Sequence, residues 1–76
     1  MNILLRDLKT GEEGLLLSVD DRGIFASRLR GFGLMEGTRI CALGAAPGGS
    51  PLLFRVRGTV LALRKGDCAA ITVVKL

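Results

Sequence analysis

Arginines are the residues of this sequence best suited to chemistry, and what they offer is the recognition of anionic groups. Alternation over positions 52–57 predicts a strand with Leu53, Arg55 and Arg57 on one face. A surface that mixes arginine with leucine suits a protein partner better than RNA or DNA, which favours aromatic rings between the cations. The alternative is a solvated outer face of the sheet. The candidate protein-binding residues are Arg28, Leu53, Arg55, Arg57 and Arg64.

Catalytic and metal chemistry have little support in the sequence. The chain contains no histidine, so a Ser-His-Asp or Cys-His pair cannot form. The carboxylate pairs at 12–13 and 20–21 do not have the spacing of a calcium loop and favour turns, with Asp21 as a helix N-cap. The segment 31–33, Gly-Phe-Gly, lacks the pattern of a nucleotide-binding loop. We therefore expect no enzyme activity and no cofactor.

The two cysteines, Cys41 and Cys68, stand in apolar stretches without a Cys-x-x-Cys motif. They cannot complete a zinc site without carboxylates or a second chain. This pattern indicates two buried, reduced thiols in a cytoplasmic protein, with a disulfide or a redox pair as the alternative. We expect no metal site.

Length and charge limit the possible partners. A chain of 76 residues predicts one domain, and 49% hydrophobic residues exclude a disordered basic tail. The net charge of +4 is uneven, because residues 1–38 carry five Lys/Arg against six Asp/Glu and residues 39–76 carry six against one. The basic second half suits an acidic protein surface, a phosphate or an anionic lipid. No segment has the pattern of a signal peptide or a membrane helix, which favours the cytoplasm.

The elements that must position the arginines are short. Eleven glycines and two prolines favour short strands joined by tight turns. The pattern predicts a helix near 23–32 with a stripe of Phe25, Leu29 and Phe32, closed by Gly33, after the first strand. A hairpin turn is predicted at 58–59. The five predicted strands are 14–19, 38–45, 52–57, 60–63 and 70–75, which together favour a small SH3-like or OB-like barrel.

Four segments in order resemble the FeoA family. Residues 28–38, RLRGFGLMEGT, resemble its signature RL..LG..PG[ST], and residues 46–52, APGGSPL, resemble its AP.GDP loop. Residues 61–73, LALRKGDCAAITV, resemble its ending, and residues 5–14, LRDLKTGEEG, resemble its start. Phe32 stands where the family usually has Leu, and Ser50 where Asp is common. The resemblance covers nearly the whole chain.

The resemblance implies a mainly β, five-stranded SH3-like barrel spanning residues 1–76 as a single FeoA-like domain. It implies a non-enzymatic accessory protein of ferrous iron uptake, acting by contact with the cytoplasmic G-protein domain of the transporter FeoB, and reaching the membrane only through that transporter. It implies no catalytic residue. The alternatives are a basic barrel that binds nucleic acid and an SH3-like module associated with a metal-dependent transcriptional repressor. A mean hydropathy of +0.44 is high for a soluble domain, and it favours an apolar surface that the chain uses for self-association or docking.

Overall fold

Six strands form one antiparallel sheet in the order β1-β6-β2-β3-β4-β5 within the residues that the structure describes. The computed structural model describes residues 1–20 and 24–76, with the backbone alone at 24–26. A 3-10 turn at Leu5–Asp7 follows the first strand. The elements are β1 Asn2–Leu4, β2 Glu13–Val19, α1 Ile24–Gly31, β3 Arg39–Ala45, β4 Leu52–Val56, β5 Thr59–Leu63, α2 Lys65–Cys68 and β6 Ile71–Lys75.

The predicted mainly β class is confirmed, with two corrections of detail. The described residues form six strands rather than five, because the apolar segment Asn2–Leu4 pairs with β6, and the helix therefore follows the second strand. Three residues are too few to show a strand period, so β1 was not detectable from pattern. The predicted barrel is not closed by hydrogen bonds, since β1 and β5 are the two edges of the sheet. The predicted cap Asp21 and the helix start at residue 23 lie outside the described residues.

The core lies on one face of the sheet and beneath α1. Leu29 is the one side chain of the predicted helical stripe that the structure shows as buried, while Phe32 is 57% exposed. The prediction for Phe32 is wrong because α1 ends at Gly31, so the helical period no longer aims the next side chain inward. The side chain of Phe25 lies outside the described set. The buried apolar residues are Leu5, Leu8, Leu16, Leu29, Leu34, Ile40, Ala42, Phe54, Val56, Cys68, Ile71 and Val73.

The end of α1 follows the sequence prediction. Gly33 has φ +84°, a conformation that glycine adopts without steric cost. Its N–H donates to the carbonyl of Arg30 (2.9 Å), and the N–H of Leu34 donates to the carbonyl of Leu29 (3.0 Å). These two bonds are the Schellman pattern, which also brings the buried side chains Leu29 and Leu34 together. The chain is thereby turned from α1 back toward the sheet.

The turn after α1 is held by one buried hydroxyl. Thr38 is 6% exposed, and its Oγ1 accepts from the N–H of Met35 (3.1 Å) and donates to the carbonyl of Gly33 (3.3 Å). The turn docks on β2, because Gly37 N–H donates to the Leu16 carbonyl (2.7 Å). The polar group is thus satisfied inside an apolar environment, and the entry of β3 is fixed.

The hairpin between β4 and β5 turns one residue earlier than predicted. Its two-residue turn is Arg57-Gly58 rather than 58–59, with φ +53° and +79°. Positive φ at both central residues is typical of a type I′ turn, whose twist matches that of the flanking strands. Arg57 therefore leaves β4 at its end and does not continue the face of Leu53 and Arg55 as predicted.

Candidate protein-binding grooves

The structure places four of the five predicted binding residues in two concavities beside the β4–β5 hairpin. Arg28 and Arg64 line the first, a groove of about 400 Å³ between α1 and β5 that we call the helix groove. Arg55 and Arg57 line the second, a hollow of about 350 Å³ that we call the sheet hollow. Leu53 lines neither, although its strand position directs it to the same outer face as Arg55.

The helix groove combines apolar side chains with charged side chains of both signs. Its lining residues are Arg28, Leu29, Phe32, Ala62, Leu63, Arg64 and Asp67. The Schellman end of α1 presents the exposed ring of Phe32 along one wall, and Ala62 stands opposite on β5. Arg64 is the residue that precedes α2, and Asp67 lies one turn later. A large exposed ring beside two guanidinium groups is typical of an interface rather than of a solvated face.

The arginines of the two concavities are available to a partner. Within the described part of the chain, no carboxylate lies within 4.0 Å of the guanidinium nitrogens of Arg28, Arg55, Arg57 or Arg64. Arg39 in the sheet hollow differs, because it faces Glu13 at 3.6 Å. Unpaired exposed arginines attract acidic groups without first having to break an internal ion pair.

Three residues of the sheet hollow, Glu13, Cys41 and Arg55, belong to a row of directly opposed residues. Glu13 pairs with Cys41 across β2 and β3, Cys41 pairs with Arg55 across β3 and β4, and Arg55 pairs with Val60 across the hairpin. Arg57 reaches the same hollow from the turn. The row places one acidic, one thiol, one basic and one apolar side chain side by side on the outer face.

The two thiols occupy different environments. Cys68 is fully buried, and burial together with the charge of Asp67 raises the pKa of its thiol to about 11. Cys41 is half-buried, so the prediction of two buried thiols is wrong for this residue. Its strand alternates across the sheet, and residue 41 falls on the outer face while its neighbours Ile40 and Ala42 face the core. Both cysteines are free, so they do not form the alternative disulfide.

The described residues bring no three potential metal ligands together, among histidine, cysteine, aspartate and glutamate. None of the helices in the described part of the chain is long and apolar enough to cross a bilayer. The described residues offer two concavities lined by arginines and apolar side chains, which can bind an acidic and partly apolar partner.

Sequence reasoning missed the outward position of Phe32 and the contribution of β5. Ala62 and Leu63 were predicted only as members of a strand, and Asp67 only as part of a turn. The one available signal was Phe32 itself, since a phenylalanine stood where the resembled family usually has leucine. The approach of β5 to α1 depends on the sheet order, which alternation along single segments does not contain.

A family model and a curated relative indicate one family for this chain. A family model described as the FeoA domain matches residues 3–75. An Fe(2+) transport protein A/Fe(2+) transporter FeoB fusion protein from Porphyromonas gingivalis is 32% identical over 69 residues, which are 91% of this chain and 8% of that protein. This chain therefore spans only a small part of the curated relative that it matches.

Several solved structures of FeoA proteins resemble the whole fold. The FeoA protein of Chlorobium tepidum is 31% identical, with a TM-score of 0.91 over 97% of this chain and 70% of that one. The zinc complex of FeoA from Stenotrophomonas maltophilia, a prokaryotic SH3 domain protein with a suggested role as a ferrous iron transport activating factor, is 31% identical, with a TM-score of 0.82 over 93% and 88%. The predicted SH3-like fold is confirmed by this similarity.

Proposed function

This chain belongs to the FeoA family, and from that premise we propose that it is a non-enzymatic cytoplasmic accessory protein of ferrous iron uptake. It acts by binding the cytoplasmic G-protein domain of a FeoB-type transporter. The observation that carries the proposal is the Porphyromonas gingivalis fusion protein, in which a region similar to this chain shares one polypeptide with the transporter. Fusion keeps two modules at a high effective concentration, which favours partners that must meet.

The surface of the described residues supports a contact of this kind. The helix groove and the sheet hollow together offer four arginines without an ion-pair partner in the described chain, and the exposed ring of Phe32 lines the helix groove with Arg28 and Arg64. Arginine and aromatic residues are enriched at the energetic centres of protein interfaces. The predicted binding residues Arg28, Leu53, Arg55, Arg57 and Arg64 remain the proposed contact set.

Ferrous iron uptake in cells tests the proposal. We expect deletion of this gene, with the transporter gene intact, to change the initial rate of Fe(II) uptake, and expect the wild-type chain to restore it. Arg64→Glu, in the helix groove, should fail to restore the rate because it reverses a charge at the proposed contact. Arg6→Glu is the matched control, since its exposed side chain lies outside both concavities. An uptake rate that deletion does not alter would refute the proposed role.

Nucleic-acid binding is a second candidate that one observation favours. The sequence predicted no exposed aromatic among the arginines, yet the exposed Phe32 lines the same groove as Arg28 and Arg64, and single-stranded nucleic acids stack on such rings. The single ring in the groove argues for a protein instead, because nucleic-acid binding uses successive stacked bases. An RNA or DNA titration decides, because binding of phosphates must weaken steeply with added salt.

A further inference from the structure

The outer edge of β5 carries backbone groups that β4 does not use. A two-residue turn makes Val56 and Thr59 a hydrogen-bonded pair, so the pairs Phe54–Leu61 and Leu52–Leu63 also exchange N–H···O bonds. The N–H and C=O groups of the intervening β5 residues point away from β4. These residues are 60 and 62, and among the described residues no other backbone hydrogen bond reaches them.

Nothing in the sequence of β5 blocks this edge. Natural sheets protect edge strands with charges, prolines or bulges. β5 reads TVLAL, has no charge and no proline, and pairs with β4 without a register shift. Val60, at its start, is 55% exposed. The opposite edge, β1, has only three residues.

The space beside β5 is open, and α1 forms its far wall. Ala62 and Leu63 line the helix groove on the strand side, and Leu29 and Phe32 line it on the helix side. A groove between a strand edge and a helix is a geometry in which extended peptides add to a sheet, with backbone bonds giving affinity and side-chain pockets giving specificity. The exposed Phe32 then has a role that packing inside this chain does not provide.

We propose that β5 accepts an extended, acidic-flanked segment of the transporter's cytoplasmic domain as an added strand in the helix groove. This inference rests on the proposed function. The residues opposite Val60 and Ala62 would exchange four backbone hydrogen bonds with them. Apolar side chains of the segment would contact Phe32 and its neighbours, and acidic side chains would meet Arg28 and Arg64.

The positive charges near the two ends of β5 favour an acidic-flanked strand over a second copy of the chain. Arg57 stands just before β5 and Arg64 just after it, and neither has an ion-pair partner within the described chain. A second β5 would bring its own two arginines to the same ends, and each chain carries a net charge of +4. Like charges brought together weaken such pairing, whereas an acidic-flanked strand neutralises both ends.

Amide hydrogen exchange by NMR tests the proposal on the wild-type chain. In the free protein we expect the amides of Val60 and Ala62 to exchange much faster than that of Leu61, which donates to β4. With the transporter's cytoplasmic domain at saturation, both amides should slow by about tenfold or more. Saturable binding that leaves both rates unchanged overturns the added strand and leaves the proposed function standing, whereas absence of any binding overturns both.

A proline variant provides an independent readout. Ala62→Pro removes the outward N–H while keeping the bonds of β4, since prolines are tolerated on edge strands in this orientation. We expect affinity for the domain to fall about fivefold or more through the lost hydrogen bond. Ala62→Ser changes the groove lining but keeps the N–H, so its smaller loss measures the side-chain contribution alone. Equal affinity of Ala62→Pro and Ala62→Ser overturns the proposal.

Exchange measured across protein concentrations completes the test. Should Ala62→Pro fail to fold, judged by thermal unfolding, the exchange rates of the wild type decide alone. We expect the rates of Val60 and Ala62 in the free chain to be independent of its concentration. Protection of both amides that grows with the concentration of the chain by itself assigns the edge to a second copy and overturns the acidic strand.

Discussion

Replacing Arg57 by Asn should stabilise the protein, although it removes a proposed binding residue. Arg57 has φ +53° at the first central position of the hairpin turn. A residue with a β-carbon pays about 1–2 kcal/mol in the left-handed region, while Asn tolerates it and Asn-Gly is the preferred type I′ pair. The side-chain stem of Arg57 passes near Gly33, where an added methyl would lie 3.9 Å from its Cδ, so losing that stem offsets part of the gain.

The net gain is about 1 kcal/mol, which corresponds to a rise in Tm of about 4–8 °C for a chain of this size. Thermal unfolding followed by circular dichroism measures it. Arg55→Asn is the matched control, because it removes the same charge from extended backbone, where Asn is disfavoured. A Tm for Arg57→Asn equal to or below that of Arg55→Asn would refute the assignment of the strain to the turn. If Arg57→Asn also binds the transporter's cytoplasmic domain more weakly, unfolding does not explain the loss of affinity, because this variant is the more stable protein.

Three further predictions concern stability and thiol reactivity. Gly14→Ala places its methyl 3.1 Å from a buried valine side chain and should lower the free energy of unfolding by about 1–3 kcal/mol, measured with denaturant. Gly31→Ala meets no atom within 4 Å and should raise that free energy by up to about 1 kcal/mol. Equal effects of the two variants would contradict the packing around Gly14. Thr38→Val leaves two backbone groups without their hydroxyl partner and should cost about 1–3 kcal/mol, with Thr38→Ser close to wild type. Iodoacetamide at neutral pH should label Cys41 and spare Cys68 until the chain unfolds, because burial raises the pKa of the Cys68 thiol to about 11. Equal labelling of the two cysteines, measured by mass spectrometry, would contradict the burial of Cys68.

Local sequence determined those features that depend on one segment. The alternation of β4 was visible because its buried residues recur every second position, and Phe54 and Val56 are indeed buried. Gly33 was identified as the helix end because glycine adopts positive φ without steric cost. Both features follow from residues within a few positions of each other.

Features that depend on distant segments were not visible in the pattern. β1 exists only because β6 pairs with it, and the placement of the turn at Arg57 depends on the register between β4 and β5. The four arginines of the predicted binding set are exposed, while their role in binding stays a prediction, and their division into two concavities follows from the position of α1 beside β5. Strand order and helix placement are tertiary properties, which override local periodicity.

Titration of the transporter's cytoplasmic G-protein domain into the wild-type chain, followed by isothermal calorimetry at two salt concentrations, tests the central claim most directly. Because the proposed contact combines apolar surface with unpaired arginines, we expect saturable one-to-one binding that weakens at higher salt and persists in part. Absence of binding at high micromolar concentrations of both proteins, with the chain shown to be folded, would contradict the claim that its function is this contact.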